Sequence, residues 1–140
     1  MFKVEKIDIW TVEMEDKPGA TAGLFKGLAE AGADLQFVIA RRQPEKPGKG
    51  ILFVSPIKGG KVEEVARRAG FALRADVVGV RVEGSNEPGL SYKLTQALGS
   101  AGLNLRALLG NAIGKEGVVV IAFDNAADAT KGYEILRQLK

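Results

Sequence analysis

Residues 15–37 read EDKPGATAGLFKGLAEAGADLQF, and residues 85–107 read SNEPGLSYKLTQALGSAGLNLRA. At an offset of 70 residues Pro18, Gly19, Leu24, Leu28, Ala31, Gly32 and Leu35 return as Pro88, Gly89, Leu94, Leu98, Ala101, Gly102 and Leu105. These are seven identities in eighteen positions, and upstream Val12-Glu13 returns as Val82-Glu83. A repeat must be recognised before any element is assigned, because it sets the unit from which the fold is built. The chain is a duplication, with repeats over residues 1–70 and 71–140.

Each repeat parses alike. Ile7, Ile9, Trp10 and Val12 form a β-branched and aromatic strand, repeated by Val77–Val82. Pro-Gly ends it, and Pro suits the first turn of the following helix, where its missing N–H costs nothing. Ala20, Leu24, Leu28 and Ala31 line one helical face, copied by Leu90, Leu94, Leu98 and Ala101. Gly32 and Gly102 stand where a left-handed residue closes a helix. Alternating strands follow at Leu35-Phe37-Ile39 and at Leu103-Leu105-Ala107-Leu109. Then come the polar hairpins RRQPEKPGKG (41–50) and GNAIGKEG (110–117), and buried strands at Ile51–Val54 and Val118–Phe123. A second helix closes each repeat, over Lys61–Ala69 and Ala126–Leu139. The expected fold is α+β, two tandem ferredoxin-like βαββαβ units with antiparallel sheets and helices on one face.

Repeat 1 continues into a fourth strand, Phe71–Ala75, whereas repeat 2 ends with its helix. At the same offset Met1–Glu5 lies opposite Phe71–Ala75. The segment 2–6 is therefore expected to complete the second sheet, since an open edge invites aggregation. The alternatives are a three-stranded sheet or a strand borrowed from another chain.

Composition excludes several chemistries. The 140 residues include no Cys and no His, so disulfides, thiol chemistry, histidine acid–base catalysis and zinc sites are not expected. No catalytic constellation of carboxylates, Lys or Tyr is readable, and neither enzyme activity nor a cofactor is expected. GNAIGKEG has glycines spaced one short for a phosphate loop, and Glu116 stands in place of the required hydroxyl. Net charge is +3, from 12 basic and 10 acidic residues in 1–70 and 8 and 7 in 71–140. That spread is too thin to point to nucleic acid. The charged start Met1–Lys6 is unlike a signal peptide, and no apolar run approaches the roughly 20 residues needed to cross a bilayer. A cytoplasmic protein without membrane contact is expected.

The succession strand, (D/N)xPG, helix, AG(A/L)(D/N)L, strand resembles the ACT domain, and the resemblance covers essentially the whole chain as two units with no enzyme domain attached. It implies a regulatory module that binds a small effector, an amino acid above all, where units pair side by side. It also implies a homo-oligomer such as a dimer, and a separate regulated enzyme as target. The ligand contacts it implies in repeat 2 are Asn86, Glu87, Pro88, Gly89, Leu90, Asn104 and Leu105. In repeat 1 they are Asp16, Lys17, Pro18, Gly19, Ala20, Asp34 and Leu35. A helix start offers N–H groups and partial positive charge to a carboxylate, and Asn both donates and accepts. Asp16 and Asp34 would repel a carboxylate, which favours the repeat 2 loop. The same residues also serve as ordinary capping and turn groups, in a module that binds a protein and no ligand.

Two further readings stay open. Gly19, Gly23 and Gly27 form a stripe along the first helix, either a contact with repeat 2 or a second chain, or merely a soft helix. The βαββαβ plan also serves RNA-binding domains. Trp10 and Phe53 would be the stacking residues, although repeat 2 offers no aromatic there.

Overall fold

The computed structural model describes residues 2–140. Its elements are β1 (Lys3–Glu15), α1 (Ala20–Glu30), β2 (Phe37–Arg42), β3 (Lys49–Ser55), α2 (Gly60–Arg68), β4 (Ala72–Ser85), α3 (Leu90–Ser100), β5 (Ala107–Ile113), β6 (Glu116–Phe123) and α4 (Ala126–Arg137). The order is the repeated strand-helix-strand-strand-helix of the sequence. Two strands are longer than expected: residues 3–6 run on without a break into the first strand, and residues 72–75 into the fourth. No turn residue separates either pair, so a single extended run forms instead of two strands.

The chain divides into two compact units, residues 8–74 and residues 2–7 with 75–140. In the first, strands lie in the order β2-β3-β1 followed by the first residues of β4. β3 pairs antiparallel with both neighbours, Trp10 opposite Val54 and Ile39 opposite Phe53. In the second, the first residues of β1 precede β4, β6 and β5. β6 pairs antiparallel with β4 and β5, Val80 and Leu108 both opposite Ile121.

Each unit has its own core. Trp10, Val12, Leu52 and Val54 meet Leu28, Val62, Ala66 and Phe71 in the first. Val80, Val82, Ile121 and Phe123 meet Leu94, Leu98, Ala129 and Leu136 in the second. Phe2 and Val4 pack against the second core, so the amino-terminal strand completes that unit's sheet. Gly84 makes room for it, because a Cβ there would stand 2.5 Å from the Phe2 ring.

Several local expectations change. Pro18 and Pro88 do not lie in the first helical turn. The helices begin at Ala20 and Leu90, after Gly19 (φ 86°) and Gly89 (φ 90°), whose left-handed backbone turns the chain into the helix. Gly32 and Gly102 are left-handed after the helix ends, as expected. The stretches 35–36 and 103–106 are connections, not strand, and Leu35, Leu103 and Leu105 pack into the cores from them. The glycine stripe has a local reason at one position: a Cβ on Gly27 would stand 3.3 Å from Val65 of α2, in the same unit, while Gly23 meets nothing within 4 Å. Trp10 is 3% exposed, lies in the core and carries the Arg67 guanidinium over its ring at 4.7 Å. The stacking platform that RNA binding needs is therefore absent at that position.

Candidate functional site

The predicted loop of repeat 2 borders a cleft of about 440 Å³ in the second unit, where Asn86, Glu87, Gly89, Leu90, Ser91 and Tyr92 face Gly110, Asn111 and Ala112 of β5. The Asn86 N–H donates to the Lys115 carbonyl at 2.8 Å, tying the loop to the β5–β6 hairpin. Gly117 lets the loop lie close: a Cβ there would stand 2.8 Å from the Leu90 side chain and 3.5 Å from Asn86 Cα. No side chain caps α3 and its first turn holds no acidic residue. The Leu90 N–H donates to the Glu87 carbonyl and the Lys93 N–H to that of Gly89. The Ser91 and Tyr92 amides between them are the orphan donors that every helix start leaves, and both residues line the cleft. The walls thus combine backbone donors and a helix dipole with two amide side chains, one carboxylate and an exposed phenol ring.

Repeat 1 builds the matching cleft, about 240 Å³, from Met14, Glu15, Asp16, Lys17, Thr21 and residues 40–42 of β2. Here Arg42 Nε donates to Asp16 Oδ2 at 2.8 Å, pinning the loop to the end of β2. At the matching positions repeat 2 carries Ala112 and Asn86, which form no such bridge. The Lys49 ammonium, 2.5 Å from Glu15, holds that carboxyl below its usual value, and the Lys49 pKa rises in return.

The structure gathers Asn86, Glu87, Gly89 and Leu90 at one cleft, with Pro88 bordering an adjoining cavity of about 260 Å³ that also meets Phe2, Lys93 and Lys140. Asn104 is exposed on the α3–β5 connection and Leu105 packs into the core; neither lines the cleft. In repeat 1 Asp16 and Lys17 line the smaller cleft. Pro18, Gly19, Ala20 and Asp34 do not line it, and Leu35 serves the core. Ser91, Tyr92, Gly110, Asn111 and Ala112 also line the cleft and are not among the residues expected from the sequence. The β5 residues reach the loop only through the pairing of β5 with β6.

No protein-family model and no curated protein matches the chain. Solved structures do. A protein of Bacteroides thetaiotaomicron superposes with a TM-score of 0.75 at 21% identity, over 98% of this chain and 89% of that one. The ligand-free regulatory subunit of aspartate kinase from Thermus thermophilus gives 0.65 at 20%, over 98% and 95%. That from Thermus flavus gives 0.56 at 22%, over 99% and 94%. The fold is the tandem ACT-like fold of these proteins.

Proposed function

We propose that the protein is a regulatory module that binds a small effector, an amino acid, in the cleft bounded by residues 86–92 and 110–112, and so shifts its packing or oligomeric state. The observation that carries this is the uncapped start of α3 opening into a cleft walled by Asn86, Asn111 and Glu87. An α-carboxylate suits the Ser91 and Tyr92 amides at the positive end of the helix, and an α-ammonium suits Glu87 and the Asn carbonyls. The neighbours that are regulatory subunits of aspartate kinase support a separate enzyme as the target.

Oligomerisation follows from the same place. β5 is a sheet edge with the uncharged sequence ALLGNAI, and Leu108 and Ile113 on it are 39% and 77% exposed. Such an edge is a template for pairing with another strand, and a second copy there would wall the cleft from its open side. The effector acts only through its different affinity for the two arrangements.

The test is a thermal-shift screen of the protein against the twenty amino acids. A ligand at about 100 times its Kd stabilises by roughly 2.7 kcal/mol, which is a shift of several degrees for a chain of this size. The shift is expected to vanish in Asn86→Ala and to survive in Asn104→Ala. No response to any amino acid would turn the reading toward a module that binds a protein partner alone.

A further inference from the structure

The unit of residues 8–74 holds a second cavity, about 610 Å³, distinct from the loop clefts and lined by Thr11, Glu13, Gln43, Lys46, Ile51 and Arg74. Its polar wall is organised. Gln43, 7% exposed, donates through Nε2 to Glu13 Oε1 at 3.0 Å and to the Gly50 carbonyl at 3.2 Å. Lys46 Nζ approaches the same Glu13 oxygen at 3.0 Å. Both bonds fall on Oε1, which leaves Glu13 Oε2 for a further donor. The Lys46 and Gln43 bonds hold the Glu13 carboxyl below its usual pKa, so it is an anion at neutral pH.

The duplication shows what such a carboxylate accepts. Thr11 and Glu13 alternate to one face of β1, opposite Phe53 and Ile51. Their counterparts 70 residues on are Arg81 and Glu83, opposite Val120 and Val118 of β6. In repeat 2 the Arg81 guanidinium, largely buried, forms an ion pair with Glu83. In repeat 1 the glutamate is kept, but the arginine is replaced by threonine, and a cavity lies beside it.

We propose that this cavity binds a small molecule that carries a guanidinium or ammonium group together with a carboxylate. The cation takes on Glu13 the place that the Arg81 guanidinium takes on Glu83. The carboxylate is received by Lys46, beside the Arg74 side chain. Guanidinium matches a carboxylate through paired N–H donors, and the buried Gln43 amide holds Glu13 in position for it.

This cavity shares no lining residue with the loop cleft of the second unit, and one experiment separates the two sites. Free L-arginine is titrated into the ¹⁵N-labelled full chain and followed by NMR. Saturable shifts are expected at the amides of Thr11, Glu13, Gln43 and Lys46. Agmatine, which keeps the guanidinium and lacks the carboxylate, should bind more weakly. Glu13→Gln, at a half-exposed position, should weaken arginine roughly tenfold or more, the scale of one lost charged hydrogen bond. Thr11→Arg, which fills the cavity as repeat 2 does, should abolish the shifts while its spectrum stays dispersed. Should Thr11→Arg fail to fold, Glu13→Gln decides alone. Shifts confined to residues 86–92, no saturable shift, or arginine binding unchanged in Glu13→Gln would each overturn the proposal.

Discussion

At the scale of single residues, glycine positions decide more than composition suggests. Gly132 sits inside α4, where replacement by Ala would ordinarily stabilise by about 1 kcal/mol. Here a Cβ would stand 2.5 Å from the Phe123 ring, which is fully buried in the same core. The clash wins, because an aromatic ring in a packed core has nowhere to retreat. Gly132→Ala is expected to destabilise by about 1–3 kcal/mol in chemical denaturation, and a stabilised variant would contradict the packing of α4 on β6. The charged residues give a second prediction. Glu13 and Glu15 have lowered pKa values, so their contribution to stability is present above the ordinary value of 4.5 and is lost as pH falls through their folded values. Lys49 is raised, so its contribution is present below 10.5 and is lost as pH rises through its folded value. With no histidine in the chain, stability should stay nearly level between about pH 5 and 10 and decline outside it. Melting temperature against pH measures this, and a step near neutrality would contradict it.

At the scale of elements, the seam between the amino-terminal strand and Gly84 is the sensitive place. Phe2 lies over Gly84 and against the second core, with Lys93 Nζ 5.5 Å from its ring centroid. Gly84→Ala would push the ring away and loosen the first residues of β1. Hydrogen exchange at the amides of residues 3–6 should then speed up well before that of β6. Equal protection in the variant would mean that Phe2 does not hold the strand. The hairpins show how a small sequence change redirects an element. GNAIGKEG turns tightly at Gly114 (φ 61°), whereas repeat 1 needs the longer 43–48 turn, closed by Gln43 N–H to the Lys49 carbonyl. That longer turn is what brings Gln43 and Lys46 to Glu13.

At the scale of the whole molecule, the repeat boundary in the sequence is not the boundary of the compact bodies. Phe71, 2% exposed, belongs to the core built by Trp10, Leu28 and Leu52, and Phe2 belongs to the core built by residues of repeat 2. Cutting the chain after residue 70 therefore removes a core phenylalanine from one unit and the edge strand from the other. Separate fragments 1–70 and 71–140 should each be unfolded by circular dichroism. In the intact chain Phe71→Ala should cost about 3–5 kcal/mol. A folded 1–70 fragment would contradict this.

The chain by itself determined the repeat, the kind and order of the elements, the left-handed glycines after α1 and α3, and the loop that borders the cleft. Each of these rests on local periodicity, or on a backbone conformation that one residue type tolerates best. Only the tertiary structure decided which loop residues share a cleft with β5, because strand pairing joins residues far apart in the chain. It also decided that the Arg42–Asp16 bridge narrows one cleft while Ala112 and Asn86 leave the other open. Asn104 shows the same limit: its place in the motif is local, but its side chain lies on a connection that no wall of the cleft reaches. The cavity beside Glu13 had no local signal at all, since it arises where a hairpin, a strand and the residues after α2 converge on the space next to one threonine.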